Sequence, residues 1–424
     1  MSRPDAPVLS DSRDEPSLCS VPSAPEPKGV RLGTRTYWRI SIALFLAGYA
    51  TFSLLYCTQP LLPVLAETFG VSPAASSLSL SFSTGFLAAA IFCAGAVSES
   101  LGRKSLMFAS LCGAAAFNLL AAAAPTWGIL LAARALEGIA LGGVPAVAMA
   151  YLAEEIDPRG LGLAMGLYIS GSAFGGMAGR VVVGFVTEYA TWRTALAVTG
   201  IAGLATALGF LMLLPPSRNF TPRRSLGLAT HLGLWGGHLS NPGLDLLFLI
   251  GFLSMGTFVT VYNYAGFRLM APPYGLSHAQ VGLIFTAYMF GIVSSSVAGA
   301  LADRAGRNAV MIGGVLVSLA GLALTVLAPL AAMIAGICLM TVGFFATHSI
   351  ASGWVGRTAR EAKGHAASLY LLAYYLGSSL AGSAGGWFWN AGRWPAVAGM
   401  CAVLLLVDLA AAWAAGRSEC LPRI

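Results

Sequence analysis

Residues 299–308 read GALADRAGRN, and residues 95–104 read GAVSESLGRK. Both are charged passages in a chain with little charge elsewhere: 10% of residues are charged and 57% are hydrophobic. A soluble globular chain carries about 25% charge and about 45–50% apolar residues. One passage falls near a quarter of the 424-residue chain and its echo near three quarters. An oily chain that repeats a charged passage at matching places reads as two related halves.

The flanks show what the halves are made of. They are apolar blocks of about 20 residues, the length a helix needs to span the hydrocarbon core. Twelve blocks are found, at roughly 40–58, 79–98, 105–124, 128–153, 162–188, 194–214, 244–267, 280–300, 309–328, 331–354, 366–389 and 396–416. Backbone in hydrocarbon must satisfy its polar groups within a helix or a closed barrel, and continuous apolar runs select helices. Gly and Pro inside several blocks are tolerated by membrane helices. The expected fold is an all-α membrane protein, with twelve transmembrane helices in two pseudo-symmetric six-helix bundles.

The polar segments divide the chain. Residues 1–36 read as a disordered N-terminal tail, because residues 1–30 hold six prolines and mixed charge. The tail has no apolar start that would make it a signal peptide. Residues 37–214 form the N-terminal bundle and 244–416 the C-terminal bundle. Between them, PPSRNFTPRRSLGLATHLGLWGGHLSNPG (215–243) is the longest internal polar stretch and reads as a cytoplasmic loop. Residues 417–424 are a cytoplasmic tail. A second echo supports the split: GSAFGGMAG (171–179) in the fifth block resembles GSSLAGSAG (377–385) in the eleventh.

The net charge of +7 is topogenic. With both termini on one side, that side holds 19 of the 24 Lys and Arg residues. The opposite side holds Arg193, Arg268 and Arg393, and Arg134 and Arg180 are embedded. The positive-inside rule then makes both termini cytoplasmic. This removes the nucleic-acid reading of a basic chain. The seven cysteines show no paired spacing, so neither a disulfide framework nor a metal site is expected.

At this point the chain resembles the major facilitator superfamily over its whole membrane portion. The family's loop motif runs G-x-x-x-D-R-x-G-R-R/K. GALADRAGRN is similar to it at Gly299, Asp303, Arg304, Gly306 and Arg307. GAVSESLGRK is similar at Gly95, Gly102, Arg103 and Lys104, with Glu99 and Ser100 in place of Asp and Arg. LLAARALEGIALGG (130–143) resembles the fourth-helix motif at Arg134 and Gly138, with Glu137 where the family commonly has Gln. GSAFGGMAGR resembles the fifth-helix antiporter motif, but Gly176 replaces its Pro and Arg180 its last Gly. QPLLPVLAETFGVSPAASSLSLS (59–81) and GVPAVAMAYLAEE (143–155) are similar to drug:proton antiporter-type and sugar-efflux-like members.

The resemblance implies a pair of cytoplasmic latches. Glu99 or Asp303 would reach the N-terminus of a helix in the opposite half, where the macrodipole stabilises a carboxylate. The expected partners are the start of the eleventh helix near Gly364 for Glu99, and of the fifth near Gly160 for Asp303. The alternative is that these are only topogenic loop charges.

Ionisable groups deep in a span are costly and are functional candidates by default. Arg134 and Glu137 are spaced to meet on one helix face, either as a packing ion pair or as an anion site with Glu137 as proton carrier. Arg180 is either a substrate anchor or a structural group pairing with a residue such as Glu188. His348 is either a proton carrier or a hydrogen-bonded structural group. Asp408, toward the cytoplasmic end of the last helix, reads as structural. The first, fourth, seventh and tenth helices line the cavity in this family, so the resemblance makes Tyr49, Tyr56, Asn263 and His348 lining candidates.

The expected function is secondary transport of a small organic solute by alternating access. Proton-coupled efflux is the leading form, and a symporter or uniporter for uptake is the alternative. No HExxH, GxSxG or phosphate-binding P-loop is found, which argues against an enzyme and against ATP as the energy source. Arg134, Arg180 and Arg268, with no acid in the first helix, favour an anionic or neutral polar solute. The expected surroundings are the bilayer, the solute and protons, with a monomeric protein and no cofactor.

Overall fold

The computed structural model describes residues 29–217, 228–359 and 361–420. Residues 1–28 of the tail lie outside the described residues, and within the helix that carries Gly95 and Glu99 the surroundings of residues 92–101 are not described. The described chain is almost wholly helical, apart from one isolated β-bridge between Val30 and Ile156.

The first crossing is Arg35–Tyr56, which a 3-10 turn Gln59–Leu61 joins to the short helix Leu62–Phe69. The second is Pro73–Leu101, the third Arg103–Ala123, the fifth Pro158–Tyr189 and the sixth Trp192–Leu213. The seventh is Pro242–Met270, the ninth Arg307–Val326 and the tenth Leu330–Thr358. The eighth is assembled from His278–Ile284, the turn Phe285–Ala287 and Tyr288–Ala305.

Among the described residues, ten helical stretches are long and apolar enough to cross a membrane. Two refinements bring this to twelve crossings. The fourth crossing is broken into Trp127–Leu141 and Pro145–Glu155. Gly142 and Gly143 sit at the break, where an added Cβ would collide with Ala90 and Ser110 respectively. Pro145 has no N–H to continue the ladder and restarts the helix at its first turn. The other refinement is Lys363–Arg417, 55 residues that would run about 80 Å as one helix, far more than one bilayer. The chain turns at Gly392 and Arg393, whose dihedrals are non-helical, and so crosses twice. The stretch read as a connecting loop holds a helix, Leu228–Leu239.

The two sequence echoes are structural equivalents. In the loop motif, Gly102 has φ 80° and ψ 146°, and Gly306 has φ 86° and ψ 145°. Each glycine turns the chain between two crossings in a region that L side chains rarely adopt. The next residues staple neighbouring helix ends. Arg103 Nη2 sits 2.7 Å from Glu154 Oε1 at the end of the fourth crossing. Lys104 Nζ donates to the Leu214 carbonyl at 2.5 Å, capping the sixth. At the equivalent place in the second half, Asn308 lies against Gly416.

The second echo is a packing stripe. Gly171, Gly175 and Gly179 of the fifth crossing lie against Phe45, Tyr49 and Ser53 of the first. Gly377 and Gly385 of the eleventh lie against Phe252 and Thr260 of the seventh. Small residues spaced four apart let two helix backbones approach closely in lipid, where no hydrophobic force drives them together.

The halves meet at the end away from the termini. There Ser81 and Ser379 bond each other, Gly184 packs on Gly282, and the Ala279 amide donates to Glu188 at 3.1 Å. At the other end, the start of the fifth crossing stays within its own half. Tyr37 Oη donates to the Gly160 carbonyl at 2.9 Å, and Leu32 packs beside it. Asp303 is exposed. The expected contact of Asp303 with the Gly160 region is therefore not made: Gly160 is taken by Tyr37, and Asp303 is exposed.

Candidate functional site

A polar relay crosses between the halves on the closed side of the cleft. Arg180 of the fifth crossing is 1% exposed. Its Nε donates to Gln59 Oε1 at 2.7 Å, and its Nη1 donates to the Gly176 carbonyl at 2.6 Å. Gln59 passes the connection on, with Nε2 donating to Asn263 Oδ1 of the seventh crossing at 2.7 Å. Asn263 Nδ2 is buried with no partner among the described residues. Gln59 stands where the first helix ends in its 3-10 turn, which places the amide at the seam.

Aromatic rings from both halves surround the Arg180 guanidinium. Its carbon lies 4.2 Å from the Tyr56 ring centre, 4.8 Å from Tyr288 and 5.1 Å from Phe285. Cation–π contacts of this kind gain strength when desolvated. No carboxylate forms an ion pair with Arg180 among the described residues. Glu188, the sequence-based partner, instead accepts from the Ala279 amide. A buried cation without a counter-charge is costly, and a bound anion would offset it.

The aromatic wall continues through the second half. Phe258 stacks on Phe344 at 3.9 Å, and Phe344 stacks on His348 at 5.8 Å. His348 Nδ1 lies 2.9 Å from the Tyr370 hydroxyl, and its ring is 4.7 Å from Tyr374. Tyr49 is half-buried against Phe174, 6.1 Å away.

Arg134 and Glu137 form an ion pair, each fully buried. The guanidinium is spent on the first and second crossings. Its Nε donates to the Ser79 carbonyl at 3.0 Å, Nη2 to the Leu55 carbonyl at 2.6 Å and Nη1 to the Leu54 carbonyl at 3.3 Å. These carbonyls include those at the C-terminal end of the first helix, which a helix end leaves without partners. Arg268 behaves alike: it caps the Thr325 and Leu327 carbonyls at the end of the ninth crossing. Of the three arginines behind the anion argument, Arg134 and Arg268 are each committed to two or more backbone carbonyls, whereas Arg180 bonds one.

The structure thus brings Tyr56, Arg180 and Asn263 together. Arg134 and Glu137 lie inside the first half, and Tyr49 and His348 stand in other walls. Sequence reading did not single out Gln59, Phe285, Tyr288 or Phe344. An amide beside Pro60 at the end of an apolar block was the one local sign, while lone aromatics in apolar blocks look alike whether they face lipid or the seam.

Twelve crossings in two equivalent halves, with polar groups gathered at the seam, define a membrane transporter scaffold. The family model of the Major Facilitator Superfamily matches residues 40–273 and 247–419. The chain belongs to this superfamily. It is 47% identical to the inner membrane transport protein YnfM of Escherichia coli (strain K12), over 90% of this chain and 91% of that one. It is 44% identical to the uncharacterized MFS-type transporter YybF of Bacillus subtilis (strain 168), over 91% of this chain and 95% of that one. Among solved structures, the nucleoside transporter NupG superposes with a TM-score of 0.74 at 15% identity, covering 89% of this chain and 99% of that one. An inward-facing, unoccupied bacterial homolog of the lysosomal transporter Spinster gives 0.73 at 14% identity, covering 90% and 97%. The protein is a multi-pass membrane transporter that moves a small molecule across a bilayer.

Proposed function

We propose that this transporter exports a small organic anion, or a neutral polar solute with an anionic edge, in exchange for protons. One observation carries the solute class: Arg180 is a buried cation at the seam, ringed by aromatic groups and without a carboxylate partner among the described residues. A carboxylate or similar group would neutralise it, while Tyr56, Tyr288 and Phe285 take an apolar or ring-shaped body. Arg134 and Glu137 serve the first half as a clamp, and His348 with Tyr370 borders the solute path.

The charge bias of the sequence places the termini in the cytoplasm. Export then requires that the solute load from the side that carries the termini, where Asp303 is exposed. The bacterial inner membrane is the matching location, and the protein works as a monomer.

The test uses purified protein in liposomes with an internal pH dye and an imposed proton gradient. Small organic anions, sugars and cationic drugs are added one at a time, with Arg180→Ala in parallel and Arg180→Lys as the folding control. Anions alone are expected to dissipate the gradient in the parent, with at least a tenfold loss in Arg180→Ala (roughly one charge-assisted contact). Dissipation by cations, or a variant equal to the parent, overturns the anionic reading.

A further inference from the structure

A second buried polar site lies away from the relay, inside the C-terminal half. A small cavity is walled by Asp408 of the twelfth crossing, Ser254, Thr257 and Phe258 of the seventh, Ser318 of the ninth, and Thr347 and Phe344 of the tenth, with apolar side chains completing it. Asp408 is 0% exposed and Thr257 1%. Ser254 Oγ donates to Asp408 Oδ2 at 2.5 Å. Asp408 Oδ1 and Thr257 Oγ1 have no partner among the described residues. No basic side chain lines the cavity. The titratable groups next to its wall are His348, which stacks on Phe344, and Tyr370, bonded to His348.

A carboxylate this deep with a single hydroxyl donor is untenable alone. Everything polar around it is an oxygen, and one carboxylate among neutral hydroxyls balances one positive charge. A divalent ion would leave a buried surplus charge. We propose that this cavity binds the monovalent coupling cation, a proton on Asp408 or a sodium ion held by Asp408, Thr257 and the neighbouring hydroxyls. The site sits where occupancy can be felt by the solute path. Phe258 and Phe344 wall the cavity with one side and, through the Phe344–His348 stack, belong to the aromatic wall of the cleft with the other. Neutralising Asp408 removes the charge behind that wall, which ties cation binding to the shape of the path.

This reading rests on the proposal of coupled transport, so its test reads binding without flux. Purified full-length protein is treated with N,N′-dicyclohexylcarbodiimide, which modifies a protonated carboxyl in apolar surroundings. The carboxyl oxygen adds to the carbodiimide carbon and its proton goes to nitrogen; an acyl shift then leaves a stable N-acylurea, with nothing oxidised. Peptide mass mapping gives the labelled fraction of Asp408. In parallel, the infrared C=O band of protonated carboxyls is titrated in the parent and in Asp408→Asn. The expected result is labelling, and a band lost in Asp408→Asn, that decline as pH rises. If sodium is the occupant, NaCl lowers both at fixed pH and choline chloride does not. Thr257→Ala is expected to move the midpoint about tenfold in cation concentration, the size of one hydrogen bond to a charged group. A carboxyl that responds to neither pH nor sodium in either measurement overturns the proposal. Cation binding without coupled flux in liposomes leaves this site standing and removes the transport reading; coupled flux with a silent Asp408 does the reverse.

Discussion

Ser81 and Ser379 bond each other twice across the seam between the halves. Ser81 Oγ donates to the Ser379 carbonyl at 3.0 Å, and Ser379 Oγ donates to the Ser81 carbonyl at 2.8 Å. Ser383 Oγ adds a bond to Ser81 Oγ at 2.7 Å. In hydrocarbon such hydroxyls find few other partners, so each bond favours closure. Each is also weak enough to break, at roughly 1 kcal/mol. This is the character of a gate that opens in every cycle.

The clasp yields the first prediction. In Ser81→Cys/Ser379→Cys, oxidation is expected to form a disulfide within one molecule, because the two residues face each other closely. The cross-linked protein should be inert in the liposome assay and recover on reduction. Full activity while cross-linked would show that this closure takes no part in the cycle.

Arg134 and Glu137 give the second. Arg134→Met leaves Glu137 buried beside its already unpartnered Oε1 and strips three carbonyls of their donor. A loss of about 3–5 kcal/mol is expected, seen as a large drop in the melting temperature in detergent. The double variant Arg134→Met/Glu137→Leu should recover part of that loss. Equal melting temperatures for parent and single variant would contradict the clamp.

The third concerns the loop glycines. Gly102→Ala and Gly306→Ala force a Cβ into left-handed dihedrals and should each cost about 1–2 kcal/mol. Gly299 has open space around a Cβ. Gly299→Ala should therefore leave the melting temperature nearly unchanged. The ordering of the three melting temperatures is the measurement.

The fourth tests the staple. Arg103→Ala should loosen the third crossing from the fourth, and Glu154→Gln should do nearly the same, since both remove the pair at 2.7 Å. The expected effect is small, about 1 kcal/mol, because the pair is partly exposed. In a double-mutant cycle the combined variant should lose less than the sum of the two single losses.

Much of the fold was legible in the sequence. Lengths of apolar runs, the repeated GALADRAGRN-type passage and the bias of Arg and Lys predict a helical membrane protein of two halves, because hydrocarbon leaves the backbone few choices. The break at Gly142 and the turn at Gly392–Arg393 were less legible, since apolar composition runs through them without a gap. The site was legible only as a set of candidates. Arg134, Arg180 and Arg268 look equivalent as embedded or near-embedded cations, and only their partners separate a clamp, a seam cation and a helix cap.

What the sequence determined by itself was the solvent, the secondary structure and the twofold repeat, all set by local composition and spacing. What the tertiary structure decided was which polar group meets which. Gln59 and Asn263 are 2.7 Å apart in space and half the chain apart in sequence. Asp408 becomes a cavity group only because the seventh, ninth and tenth crossings close around it. Partnership in a membrane depends on which helix faces are pressed together, and no single helix carries that information.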